Sequence, residues 1–156
     1  MDTKNKNVVS SHVAEIVLSY RPNSKVSEKP QIDSSLTANK ILRANWDESK
    51  IGFIEEFKVI LLNRANRVLG IINASSGGSA GTVVDLKVIF GAAMKASASA
   101  MIIAHNHPSG NLKPSEQDKR LTEKMVKAGR LLELPVIDHV IVTSESYYSF
   151  ADEGGL

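Results

Sequence analysis

Two histidines, His105 and His107, stand one residue apart in the stretch AHNHPSGNLKPSEQD, residues 104–118, and a carboxylate, Asp118, closes it. The stretch leaves an apolar run, Ala100-Met101-Ile102-Ile103-Ala104, that predicts a buried strand. In extended chain, residues i and i+2 point the same way, so both imidazoles can meet at one point. Asp118 falls on the first turn of the helix expected after Pro114, across a loop shaped by Pro108, Gly110 and Pro114. Two neutral imidazoles and one carboxylate leave a coordination position open, as in a catalytic rather than a structural zinc site. Zinc held there lowers the pKa of its water from about 15.7 toward roughly 7 and makes hydroxide available at neutral pH.

Each residue also has a plainer reading. Ser115-x-x-Asp118 matches a capping box, in which serine and acid satisfy the free amides of a helix start; taken alone, that explains the pair better than ligation does. A His-x-His pair near a turn is common on surfaces. His12 reads as a surface residue on an edge strand, and His139, inside the apolar run Val136–Val142, as a hydrogen-bonded core group rather than a ligand. The conjunction shifts the balance: both histidines stand at a strand end, where α/β sites gather, with the acid at a helix start facing them.

The positioning elements follow from hydrophobic periodicity. Val13–Tyr20 reads as a strand, residues 21–35 as an extended loop around Pro22 and Pro30, and Leu36–Ala44 as a short helix capped by Ser34 or Ser35 with Ile41 and Leu42 inward. FIEEFKVILLN, from Phe53, predicts a strand with Phe57, Val59 and Leu61 on one face and Ile60 and Leu62 on the other; Asn63–Asn66 turns the chain into a second strand, Arg67–Asn73. Ser75–Gly81 is a loop. Its Gly77-Gly78-x-x-Gly81 lacks the Gly-Lys-Ser/Thr ending of a phosphate loop and the dinucleotide-binding spacing, so it carries no phosphate assignment. Asp85 caps a helix with Leu86, Ile89, Phe90, Ala93 and Ser97 on one side. A second helix, with Leu121, Met125, Ala128 and Leu132 on one side, stops at Pro135; a strand over Val136–Val142 and a short one over Tyr147–Phe150 end the chain. The order β-β-α-β-α-β argues a layered α/β domain.

Composition bounds the alternatives. The chain has 156 residues, enough for one core, with 42% hydrophobic and 23% charged residues. A net charge of +2 is too small to imply a polyanion partner. The absence of cysteine excludes disulfide scaffolds, thiolate catalysis and every cysteine-based zinc site, including that of the nucleobase deaminases. Residues 1–11 are polar and expected to fray; the N-terminus shows no apolar signal segment, and no run approaches the ~20 residues of a membrane span, so a cytoplasmic protein is expected.

HNHPSG followed by PSEQD resembles the JAMM signature of the JAB/MPN metalloprotease superfamily, and together with LPVIDHVIV it is similar to the bacterial RadC family, which carries a DNA-repair label. The resemblance runs from about Phe53 to the C-terminus. It implies an α/β (α+β) domain with a JAB/MPN-like, cytidine-deaminase-like mixed curved β-sheet flanked by helices, and one zinc ion on His105, His107 and Asp118. It implies Ser115 as the residue steadying a tetrahedral intermediate, a glutamate from an upstream strand as general base and acid, and a peptide or protein as substrate. Glu55 and Glu56 both stand where that glutamate belongs; alignment through Phe57 and Leu62-Asn63 selects Glu55, which shares a strand face with Phe57, Val59 and Leu61. The organisation expected is an N-terminal strand and loop over residues 1–35 and one domain over 36–156, without the helix-hairpin-helix module of longer relatives. Nucleic acid is therefore a partner by family label only. Leu86-Lys87 replaces the Pro-Arg often found there, a departure confined to one loop.

Two rival readings stay open. A metal site can persist in a non-catalytic binding domain. Two histidines and a carboxylate also describe the facial triad of iron(II) oxygenases, although those enzymes need a strand-rich barrel and this chain alternates strands with helices.

Overall fold

The computed structural model describes residues 12–17, 19–78 and 83–156. A five-stranded mixed sheet organises them: β1 (Glu56–Leu62), β2 (Val68–Ser76), β3 (Ala100–Asn106), β4 (Val136–Val142) and β5 (Tyr147–Ser149), in the spatial order β2-β1-β3-β4-β5. Only β3 and β4 run parallel, because helix α3 (Glu116–Leu131) carries the chain back between them; the other neighbours are antiparallel. Helix α1 (Ser35–Ala44) covers one face and α2 (Leu86–Lys95) with α3 the other.

Strand alternation sorts the core into these two layers. From β1, Ile60 and Leu62 pack with Ala38, Leu42, Trp46, Ile51, Ile102 and Val140; Phe57, Val59 and Leu61 pack with Ile89, Phe90, Ala93, Met101, Ile103 and Met125. Strands β1, β3 and β4 are buried on both faces, which is why their sequences are nearly continuous apolar runs. Helix starts are capped as the polar residues before them require: the Ser34 side chain accepts from Thr37 N, Asp85 from Lys87 N and Ser115 from Asp118 N. Gly129 lets α3 close on the following loop, since a Cβ there would stand 2.4 Å from the Leu134 carbonyl oxygen.

Five sequence expectations need correction. Val13–Tyr20 forms no strand where it is described; Val13, Ile16 and Val17 are exposed, and Leu18 lies outside the described residues. Alternation alone cannot make a strand without backbone pairing to an edge; the Tyr20 hydroxyl donates to the Leu69 carbonyl of β2. His12 accordingly lies in a turn, not on an edge strand. The strand signalled from Phe53 begins at Glu56, because residues 51–54 form a turn that leaves Phe53 exposed. The second strand takes in Ser75 and Ser76, the start of the expected loop, and α2 ends at Lys95, with Ser97 beyond it at φ 53°. Residues 1–11 and 79–82, including Gly81, lie outside the described residues.

The segment before α1 is tied to the β1–β2 hairpin: Val68 N donates to the Pro30 carbonyl at 2.9 Å, Ile32 N to the Asn66 carbonyl at 2.8 Å, and the Ile32 side chain enters the α1-side core. None of the described helices is long and apolar enough to cross a membrane.

Candidate metal centre

β3 delivers the first ligand candidate. His105 shares the alternation of Met101 and Ile103 and so faces the α2–α3 layer, 2% exposed. It stands opposite Phe57 of β1, whose ring stacks on it at 6.4 Å between centroids. One residue past the strand, His107 N donates to the Val142 carbonyl, and Gly110, at φ 79°, turns the loop back with its N–H on the His107 carbonyl. This loop brings Pro114 and Ser115 to the start of α3, and Asp118 at its third position points back at the strand end.

Three potential ligand groups meet there. His105 Nε2 is 2.9 Å from His107 Nε2 and 3.1 Å from Asp118 Oδ1; His107 Nε2 is 3.3 Å from Asp118 Oδ2. One donor atom from each residue lies within 4.8 Å of the others, the only such group of histidines and acids found among the described residues. The close separations match an edge of zinc's ligand tetrahedron, about 3.3 Å for bonds of ~2.0–2.1 Å, so the residues fit the ion.

The capping reading and the ligand reading hold together. Ser115 Oγ accepts from Asp118 N at 3.1 Å and Ser115 N donates to Asp118 Oδ2 at 2.7 Å, a complete capping box, while the carboxylate still faces the imidazoles. The box fixes the rotamer that aims Asp118 at the histidines.

Electrostatics follow from this crowding. Burial pushes the Asp118 carboxyl up, but the His105 and His107 rings beside it and the hydrogen bond from the Ser115 amide outweigh that and hold it well below the usual carboxylate range. His107 is pushed up, chiefly by its hydrogen bond with Asp118; its Nδ1 donates to the Asn111 carbonyl at 2.5 Å. Half-buried Glu55 is raised by desolvation, partly offset by the fields of His105 and His107 and reinforced by that of Asp118. Glu55, one residue before β1, continues the alternation of Phe57, which stands opposite His105 in the β1–β3 ladder. Glu56 pairs with Ser76 across the β1–β2 ladder.

Three residues of this neighbourhood gave no functional signal in the sequence. Asn106, between the two histidines, points to the opposite face, fully buried. Its Nδ2 donates to the Ile51 carbonyl at 2.7 Å and the Ile54 carbonyl at 2.8 Å, and its Oδ1 accepts from Glu56 N at 2.7 Å, so one carboxamide holds the backbone on both sides of Glu55. His139 of β4 is fully buried, with Nε2 2.8 Å from His105 Nδ1 and Nδ1 2.6 Å from Thr122 Oγ1; desolvation pushes its pKa well down. Thr122 donates in turn to the Asp118 carbonyl at 2.7 Å. The available signal was Thr122 four residues after Asp118, one helical turn along the same face; a buried histidine in a strand names no partner by itself.

Comparison with known proteins agrees with this architecture. The chain is 46% identical over 100 residues to a UPF0758 protein of Flavobacterium johnsoniae, covering 64% of this chain and 44% of that protein. It is 39% identical over 131 residues to a UPF0758 protein of Thermosynechococcus vestitus, covering 83% of this chain and 50% of that one. The chain thus spans about half the length of the curated relatives it matches. A family model described as the RadC-like JAB domain matches residues 32–156, from the β-hairpin clasp through the histidine loop to the last residue. The chain belongs to the RadC-like JAB domain family.

Proposed function

We propose that this domain is a zinc-dependent hydrolase of the JAMM type that cleaves peptide or isopeptide bonds, with His105, His107 and Asp118 as the ligands, Glu55 as general base and acid, and Ser115 as oxyanion donor. The observation that carries the reading is the convergence of two ring nitrogens and a carboxylate within 4.8 Å at a strand end, beside a half-buried glutamate.

Zinc bound there supplies a water of lowered pKa and an electrophile for the scissile carbonyl oxygen. Glu55, raised by burial, suits a group that must alternate between base and acid: it takes the proton from water as the new C–O bond forms, then returns it to the amine nitrogen as the C–N bond breaks. Ser115 Oγ takes its helix-capping bond through an oxygen lone pair, which leaves the hydroxyl proton for the oxyanion. Phe57 stacked on His105 and the apolar layer beneath it support the ligand side from within the fold.

The test pairs metal content with cleavage. Wild type should bind one zinc per chain and cleave members of a peptide library, with both lost in Asp118→Asn. Glu55→Gln should keep the zinc and lose about 10²–10⁴-fold in cleavage rate. A Glu55→Gln protein as fast as wild type ends the assignment of Glu55. One zinc per chain with no cleavage by wild type leaves a metal-holding binding domain instead.

A further inference from the structure

Resting on the reading of His105, His107 and Asp118 as a metal centre, we propose that Thr122 and His139 are positioning residues that set the tautomer of His105 and keep its Nε2 lone pair available to the cation. Three side chains and one backbone group form a circuit of hydrogen bonds that ends among the ligand atoms. It runs from the Asp118 carbonyl to Thr122 Oγ1, on to His139 Nδ1, across the ring to His139 Nε2, then to His105 Nδ1 and through that ring to Nε2, 3.1 Å from the Asp118 carboxylate.

The polarity of this circuit follows from its one fixed member. A backbone carbonyl only accepts, so the Thr122 hydroxyl spends its single proton on Asp118. Thr122 Oγ1 can then only accept from His139, which places the proton on His139 Nδ1 and leaves Nε2 of the neutral ring bare. That bare nitrogen accepts from His105 Nδ1–H, and the neutral His105 ring keeps a lone pair on Nε2, the atom facing His107 and Asp118.

Water has little access to replace any link, since Thr122 and His105 are each 2% exposed and His139 0%. Phe150 stacked on His139 at 4.7 Å, and Phe57 edge-on at 6.1 Å, hold the ring plane in which both nitrogens reach their partners. The circuit also joins two ligands from different elements, β3 and α3, through a third element, β4. The helix therefore reports its register to the strand-end histidine through hydrogen-bond polarity.

Removing the hydroxyl should reverse the polarity. In Thr122→Val, a proton on His139 Nδ1 has no acceptor. The opposite arrangement then becomes the better one: His139 Nε2–H donates to His105 Nδ1, and His105 carries its proton on Nε2, among the ligands. Zinc must then displace that tautomer before binding.

Two measurements on the intact chain test this. Imidazole ¹⁵N shifts of the metal-free protein should show His105 protonated on Nδ1 in wild type and Thr122→Ser, and on Nε2 in Thr122→Val. Chelator-competition titration should show zinc affinity lower by about 10- to 100-fold in Thr122→Val, the range for loss of a partner behind a ligand, and near wild type in Thr122→Ser. A wild-type His105 with a bare Nδ1, or a folded Thr122→Val protein with unchanged tautomer and zinc affinity, overturns the proposal. Because the ¹⁵N measurement needs no metal, it still decides the circuit if wild type fails to bind zinc, a result that would defeat the metal reading alone.

Discussion

Asn106 offers a direct test of how the sheet positions Glu55. Its side chain is fully buried and spends both amide protons and its oxygen on the Ile51 carbonyl, the Ile54 carbonyl and the Glu56 N–H. Asn106→Ala leaves all three backbone groups without that partner. A buried group left unsatisfied costs about 1–3 kcal/mol. Ile54 and Glu56 are half-buried, so their groups lose less than fully buried ones, whereas Ile51 is 2% exposed; the expected total is about 3–5 kcal/mol. That is a large share of the roughly 5–15 kcal/mol that holds a typical domain together.

Trp46, the single tryptophan, lies in the same core cluster as Ile51 and reports the loss by fluorescence in urea denaturation. Asn106→Asp is the companion variant. It keeps the volume and the acceptor for Glu56 N but turns an oxygen toward two carbonyls, so it should be destabilised at neutral pH. Burial and those carbonyls raise the folded-state pKa of the new carboxyl, so stability should recover as pH falls and protonation restores one donor. If the urea midpoint of Asn106→Ala corresponds to less than about 1 kcal/mol of destabilisation, the carboxamide does not hold the turn and the account of Glu55 positioning is wrong.

Two other outcomes follow from the same structure. Glu55 has a folded-state pKa raised above its ordinary 4.5, mainly by burial, so the metal-free fold should lose stability as pH rises from about that value through the raised one; Glu55→Gln should remove this slope, and parallel urea curves across the window would contradict the burial argument. Gly129→Ala should destabilise by about 2 kcal/mol, overlap with the Leu134 carbonyl outweighing the better helix propensity of alanine, with a lowered melting temperature as the readout; an unchanged or raised melting temperature would show that α3 can move away from residue 134 at little cost.

Much of the fold was legible because its elements are locally encoded. Strand β4 falls on the apolar run between Pro135 and Thr143, α3 begins after the serine whose capping box was readable, and the two faces of β1 divide as their alternation requires. The misreadings came where local pattern lacked tertiary support. Val13–Tyr20 alternates but, where described, forms no strand, and Phe53 continues the apolar pattern of β1 although Asn106, far along the chain, bends residues 51–54 into a turn.

The candidate site divides in the same way. Residue type and spacing singled out His105, His107, Ser115 and Asp118, because extended chain and a capped helix start each aim side chains in a direction set by the nearest few residues. The circuit through Thr122 and His139 and the carboxamide clamp on the Glu55 turn depended on β1, β3, β4 and α3 packing together. Hydrogen-bond polarity passes between residues distant in sequence only when burial excludes the water that would otherwise satisfy each group separately, and no periodicity within one segment records that.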